Sequence, residues 1–182
     1  MFDITTERPE DEAAIETLLD AAFGANRYAK TSYGFRESVE PIPELRLVAR
    51  ERHRPGGRSV IGTLRFWPVT VGDGGDPALL LGPLAVAADW RRLGIGGALI
   101  RQGLDMAAWA RHRAVLLVGD QSYYGRFGFT PASDHGIAVP GEKPERVLAR
   151  ALCFGALGGM TGQVMPWRSV RWRGGLGRAI AA

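Results

Sequence analysis

The chain has 182 residues, 46% of them hydrophobic, with a formal charge of +4, which is enough to bury one sizeable core and by length predicts a single domain over 1–182. No apolar run reaches the roughly 18 residues of a membrane span, and Met1 to Thr6 lacks a basic-then-apolar leader, so a soluble cytoplasmic protein with no membrane contact is expected. A lone cysteine, Cys153, excludes an internal disulfide, and three scattered histidines give no metal cluster. The positive charge is almost wholly arginine, since Lys30 and Lys143 are the only lysines. Without a nucleic-acid motif beside it, that charge reads as solubility plus attraction for a phosphate-bearing cofactor.

Phe2 to Thr5 reads as a short strand. Pro9-Glu10-Asp11-Glu12 then supplies acidic residues for a helix start, and Ile15, Leu18, Leu19, Ala22 and Phe23 keep helical spacing up to Gly24. Asn26 to Pro43 is irregular and reads as a short helix plus loop. Leu45 to Arg50 and Ser59 to Val71 form a hairpin about Pro55-Gly56-Gly57, and the turn Gly72 to Pro77 leads into the apolar strand Leu79 to Val86. From Ile95 to Arg111 nearly every side is apolar or small, with Arg101, Asp105 and His112 on one narrow stripe, which predicts a mostly buried helix. His112, at its end, is expected to act electrostatically on the helix terminus.

A further strand, Ala114 to Val118, completes a strand–helix–strand unit that favours parallel pairing. Asp120-Gln121-Ser122 can cap a short helix carrying Tyr124, which stops at Gly128 before a strand Phe129 to Ala132. After a long turn, Arg146 to Phe154 reads as a strand, Gly155 to Gly162 as a turn, and Gln163 to Val170 as a last strand broken by Pro166. Cys153 is expected to be a small buried hydrophobe. Residues 168–182, with Arg168, Arg171, Arg173 and Arg178, read as a loose basic tail.

The segment Arg91-Arg92-Leu93-Gly94-Ile95-Gly96-Gly97 puts three glycines into four positions where the long helix begins. Bare N–H groups at a helix start, unhindered by Cβ atoms, make an anion site. A dinucleotide fingerprint fails, because the sixth position from Gly94 is Leu99, and a nucleotide-hydrolase phosphate loop fails for want of a lysine. What stands here is R-x-x-G-x-G, Arg91 to Gly96, after a strand ending Leu84-Ala85-Val86. Downstream, Tyr123-Tyr124-Gly125-Arg126-Phe127-Gly128-Phe129 carries Y-x-x-x-G-F. In this ordered pair of motifs the chain resembles the GNAT superfamily of acyl-CoA-dependent N-acyltransferases, and its wording looks most like the YhbS-like bacterial branch.

The resemblance implies a mixed α/β fold, with a mostly antiparallel sheet, one splayed parallel strand pair and helices on both faces. It implies acetyl-CoA (coenzyme A) as cofactor. The pantetheine arm would lie along the backbone of Leu84, Ala85 and Val86, and the pyrophosphate on the turn formed by Arg91, Arg92, Leu93, Gly94, Ile95, Gly96 and Gly97. A bulky residue at Gly94 or Gly96 would block it. The acetyl group would pass to a primary amine by direct attack. Tyr124, where family members place a tyrosine near the thioester sulfur, is the expected catalytic residue, a general acid for the departing thiolate. Tyr123 is expected to pack instead.

No carboxylate stands in Leu64 to Val71 or Leu79 to Val86 to serve as base. Asp73 and Asp76 read as turn formers, Asp120 as a helix cap or a base, and His135 as a weaker candidate. The family's usual Asn ahead of the tyrosine helix is replaced by Gly119-Asp120-Gln121-Ser122. The absent base keeps a second reading open, a non-catalytic acyl-CoA-binding or sensing module. A third gives the arginine tail a nucleic-acid contact. The acceptor is left open between a small-molecule and a protein amine, with aminoacyl-tRNA included, as is a homodimer. No metal is expected.

Overall fold

The computed structural model describes residues 1–29, 31–37, 39–52 and 59–167. In chain order these form β1 (Phe2–Thr6), α1 (Glu12–Phe23), α2 (Thr31–Gly34), β2 (Leu47–Glu51), β3 (Val60–Val71), β4 (Asp76–Val86) and α3 (Ile95–Trp109). Then come β5 (Ala114–Val118), α4 (Gln121–Tyr124), β6 (Thr130–Pro131), β7 (Ile137–Ala138), β8 (Val147–Ala151) and β9 (Gly162–Pro166). The sheet runs β1-β2-β3-β4-β5-β8-β6, and along this path β4 and β5 are the parallel neighbours. The expected hairpin and turn join β2, β3 and β4 in antiparallel succession, and β1 adds antiparallel to β2. β9 adds antiparallel to Val69–Val71 of β3, and the short β7 lies parallel to β9.

The period of two along the strands sends alternate side chains to opposite helices. Leu47, Ala49, Leu64 and Phe66 pack under Leu99, Ile100, Leu104 and Ala107 of α3. Val48 and Ala85 pack on the other face, under Ile15, Leu18 and Leu19 of α1. Trp67, Val69, Val71 and Leu80 continue that second face toward β8 and β9.

The start of α1 is tied to the sheet through a buried ion pair. Asp11, 4% exposed, accepts from the Arg8 backbone N–H at 2.7 Å and from Arg50 Nη1 at 2.7 Å. Burial acts to raise the Asp11 carboxyl, but the hydrogen bonds from Arg50 and Arg8 and the two arginine charges outweigh it, so it sits below its ordinary 3.8. The stability this pair adds is therefore complete above the unfolded value and is lost as pH falls through the lower folded one. Asp11→Ala leaves Arg50 buried and uncompensated, and is expected to destabilise by ~3–5 kcal/mol in urea titration at neutral pH. The deficit relative to the parent should shrink on acidification toward pH 3.

Several elements differ from the sequence reading. α3 ends at Trp109 rather than Arg111; the narrow exposed stripe expected at Arg101 and Asp105 is present and widens only at the helix end, through Ala108 and the 88% exposed Trp109. His112 is half-buried, and burial lowers it against the pull of Glu44, so it is held neutral rather than serving as a charge at the helix end. Cys153 is exposed, because β8 stops at Ala151 and the chain turns out into solvent before the cysteine. The strand expected over Phe129 to Ala132 is only Thr130–Pro131, and β7 stands inside what reads as a long turn. The Pro55 turn and the 168–182 tail lie outside the described residues.

Candidate active site

β4 and β5 pair at only two registers, Leu79 with Val115 and Leu80 with Leu116, although β4 stays paired to β3 as far as Val86. Between Leu81 and Leu84, β4 spends three steps where β3 spends two from Phe66 to Leu64. The extra residue falls at Gly82-Pro83, and such a bulge bends a strand and increases its twist. Trp67 Nε1 donates to the Gly82 carbonyl at 2.7 Å and holds the bend. One edge of β4 is thereby left facing a wedge.

That wedge is a cavity of about 570 Å³. Leu81 and Leu84 line one wall, Val118 and Gly119 the other, and Tyr123 and Tyr124 project from α4. Beyond the end of β4 the chain passes Ala88–Trp90 and Arg91 into α3, whose first backbone bond is Ala98 N–H to Gly94 O at 2.9 Å. Among the described residues the N–H groups from Arg92 to Gly97 have no backbone acceptor. Gly94 is left-handed at φ 80°. Arg92 is too, at φ 65°, a conformation that costs a residue with a Cβ about 1–2 kcal/mol.

The motif side chains divide. Arg91 Nε turns back toward the Val86 carbonyl at 3.4 Å, Leu93 is 59% exposed, and Ile95 is buried in the core. Ala85 also points into the core, toward α1, leaving only its backbone on the wedge side. Gly96 faces the cleft, where a Cβ would meet Tyr123 Oη at 3.0 Å, Val86 at 3.7 Å and Leu84 at 3.9 Å. Tyr123 thus packs, against Phe127 at 5.8 Å and under the Arg126 guanidinium at 4.3 Å, but its hydroxyl also reaches the glycine turn.

The Tyr124 ring lies against Gly119, where a Cβ would stand 2.3 Å from it, and makes edge contacts to Tyr123 at 4.9 Å and Phe129 at 6.0 Å. Burial, reinforced by Tyr123 and opposed by Arg146, pushes its hydroxyl up to about 12. Within the described residues the hydroxyl takes no hydrogen-bond partner, so it stays protonated and available to a ligand.

Asp120 accepts from Ser122 N–H at 3.1 Å and Ser122 Oγ at 2.9 Å. These bonds lower its carboxyl, which makes it a helix cap and a poor base. His135 lines a different cavity, beside Gly128 and Thr130. Asp73 lies exposed in the β3–β4 turn. Sequence reasoning missed Arg36, Glu142 and Arg146, which also line the wedge. Their segments carry no periodicity or motif that would have marked them. No group of His, Cys, Asp and Glu able to hold a metal occurs among the described residues, and no helix there is long and apolar enough to cross a membrane.

Residues 45–131 match the family model described as an acetyltransferase (GNAT) domain. The chain is 33% identical over 163 residues to the N-acetyltransferase YhbS of Escherichia coli K12, covering 88% of this chain and 93% of that protein. It is 31% identical over 147 residues to YjhQ, an N-acetyltransferase of the same organism, covering 79% of this chain and 77% of the relative. The crystal structure of E. coli YhbS in complex with CoA superposes with a TM-score of 0.76 at 32% identity, over 90% of this chain and 88% of that one. A GNAT family acetyltransferase of Brucella melitensis, in complex with acetyl-CoA, gives 0.66 at 28% identity, over 93% and 97%.

Proposed function

Since the chain belongs to the GNAT acetyltransferase family, we propose that it binds acetyl-CoA in the β4–β5 wedge and moves the acetyl group to a primary amine by direct attack, with Tyr124 managing the proton of the departing thiolate. The observation that carries this reading is an unpaired strand edge and a protonated, unpartnered tyrosine in one cavity, with a run of free N–H groups beside it where Gly96 faces Tyr123 and Leu84 of the cavity wall. The residues present suit such a ligand. The open edge of Leu84, Ala85 and Val86 can pair with the amides of an extended arm as a strand would, and the N–H groups from Arg92 to Gly97 can receive a pyrophosphate at the positive end of α3. Bound there, acetyl-CoA supplies a thioester carbonyl and a thiolate leaving group.

The chain's own residues then have three tasks. The β4 backbone and the bend at Gly82-Pro83 fix the arm, so that attack becomes effectively unimolecular. Leu81, Leu84 and Val118 exclude water from the wedge, which favours an amine over hydrolysis. Tyr124 moves a proton. With its hydroxyl near 12, outright donation to a thiolate of ordinary thiol basicity, about 8.5, is uphill by roughly 5 kcal/mol. Tyr124 therefore gives its proton to sulfur as it regains one from the nitrogen that has become ammonium: a C–N bond forms, a C–S bond breaks, and the net proton passes from nitrogen to sulfur.

The incoming amine must be neutral, and an alkyl amine with pKa about 10.4 is neutral in only about one part in a thousand at pH 7. Asp120 is engaged as a cap, and β3 and β4 offer no carboxylate between Leu64 and Val71 or Leu79 and Val86, so this first proton goes to solvent or to Glu142, the other carboxylate lining the wedge. The test is calorimetric titration with acetyl-CoA followed by release of free CoA with a broad amine panel. Binding with turnover on at least one amine is expected. Binding without turnover on any would turn the reading to a binding or sensing module, and no binding would remove it.

A further inference from the structure

The acceptor has no assigned chemistry, and a second cavity, of about 270 Å³, bears on it. It adjoins the wedge through Tyr33, Arg36 and Pro83, which line both. Three guanidinium groups border it, and two are matched. Arg27 is ion-paired with Glu16 and with Asp20, the latter at 2.7 Å, and it donates to Tyr33 Oη at 3.0 Å. Arg65 donates to both oxygens of Glu7, at 2.8 and 2.7 Å, with Glu12 at 3.4 Å.

Arg36 is unmatched. Its guanidinium lies 4.4 Å from the Tyr33 ring and 5.5 Å from Trp67, and its Nε and Nη1 are sealed from solvent without a hydrogen-bond partner. No carboxylate among the described residues pairs with it. Burial, with the charges of Arg65 and Arg27 and against the influence of Tyr33, pulls it down to about 10. Its Nη2 lies 3.5 Å from where a Cβ on Gly82 would stand, at the bend of β4 that opens the wedge.

Resting on the acetyltransferase reading above, we infer that the acceptor is an amine that also bears a carboxylate, held by Arg36 in the smaller cavity while its amino group reaches into the wedge. A guanidinium held by aromatic faces presents its N–H groups in a plane, which suits the flat fork of a carboxylate. A single unmatched cation fits a single negative charge. Glu16 and Glu37, on the same cavity, disfavour a dianion such as a phosphate ester there. The cavity volume suits an acceptor of amino-acid size.

The experiment compares each carboxylate-bearing amine with its counterpart lacking the carboxylate: phenylalanine with phenethylamine, leucine with 3-methylbutylamine, 4-aminobutyrate with propylamine. With acetyl-CoA saturating, the carboxylated member of at least one pair is expected to be preferred in kcat/KM by ~10- to 100-fold, the range of a hydrogen bond to a charged group. In Arg36→Gln that ratio should collapse toward one, mainly through KM, and Arg36→Lys should keep part of it. A ratio taken within one protein does not depend on how much of it is folded. In parallel, the matching N-acetyl amino acids are titrated into the CoA-loaded protein, with Arg36-dependent binding expected. Turnover without a carboxylate preference, or a preference intact in Arg36→Gln, overturns the inference and leaves the acetyltransferase reading standing. Arg36-dependent binding without turnover on any amine keeps the carboxylate site and removes the amine-acceptor reading. Neither binding nor turnover removes both.

Discussion

Gly96→Trp is expected to abolish measurable binding of acetyl-CoA, with an affinity loss of ~10²-fold or more, about 2.7 kcal/mol. The glycine stands where the end of β4, the start of α3 and Tyr123 converge, and even a methyl group there would contact Tyr123 Oη at 3.0 Å. An indole extends past that point over Leu84 and Val86 and covers the N–H groups that would hold the pyrophosphate. Each hydrogen bond to a charged group is worth ~1.5–3 kcal/mol, so losing two is enough to account for the effect. Gly96→Ala should be intermediate, since the hydroxyl of Tyr123 can give way by a few tenths of an ångström. Titration calorimetry reads the affinities, and thermal unfolding separates a blocked site from a damaged fold. A Gly96→Trp variant that melts like the parent and still binds would move the cofactor off this turn.

Tyr124→Phe is expected to lower kcat by ~10²–10⁴-fold while leaving acetyl-CoA affinity unchanged, because the ring stays and only the proton-bearing oxygen goes. Gly119→Ala should reproduce much of that loss by a different route. Its Cβ would stand 2.3 and 2.7 Å from two carbons of the Tyr124 ring and 2.9 Å from Leu117, so the ring must leave its place. The two changes act through one group. The double variant should therefore be no slower than Tyr124→Phe alone, which is the signature of coupled positions. With the Tyr124 hydroxyl pushed up to about 12, kcat/KM should climb with pH toward the pKa of the amine and show no descending limb from this tyrosine below about pH 11. A fall setting in near pH 8–9, or an unslowed Tyr124→Phe, would give the proton to another group.

What could be read from the sequence was local. The glycines at 94, 96 and 97 declare a helix start because their chemistry acts within one turn, and Tyr124 declares itself through Gly128 and Phe129 just beyond it. The long strands and α1 followed from spacing alone. Arg36 could not be found that way: its place at the wedge depends on Trp67 and the β4 bend, which lie 31 and 46 positions further along, and its own segment has no apolar period. The same holds for Arg146, which meets Tyr124 only because β8 pairs with β5. Cys153 departs from its local signal for the converse reason. Cysteine is usually buried, and nothing local showed that β8 would end two residues earlier.

The arrangement of β9 sets a timetable for the ribosome. β4 occupies one edge of β3 throughout, so β2 and β9 share the other, β2 along Val60 to Leu64 and β9 along Val69 to Val71. The second half of that edge is translated about ninety residues before the strand that covers it. At ~5–20 residues per second, Val69-Thr70-Val71 waits roughly 5–20 s with the backbone groups on that edge unclaimed. An open edge flanked by valines is a template for a neighbouring nascent chain. Yield in a cell should accordingly depend on elongation speed and on chaperone supply during that interval, even for variants whose finished stability is unchanged.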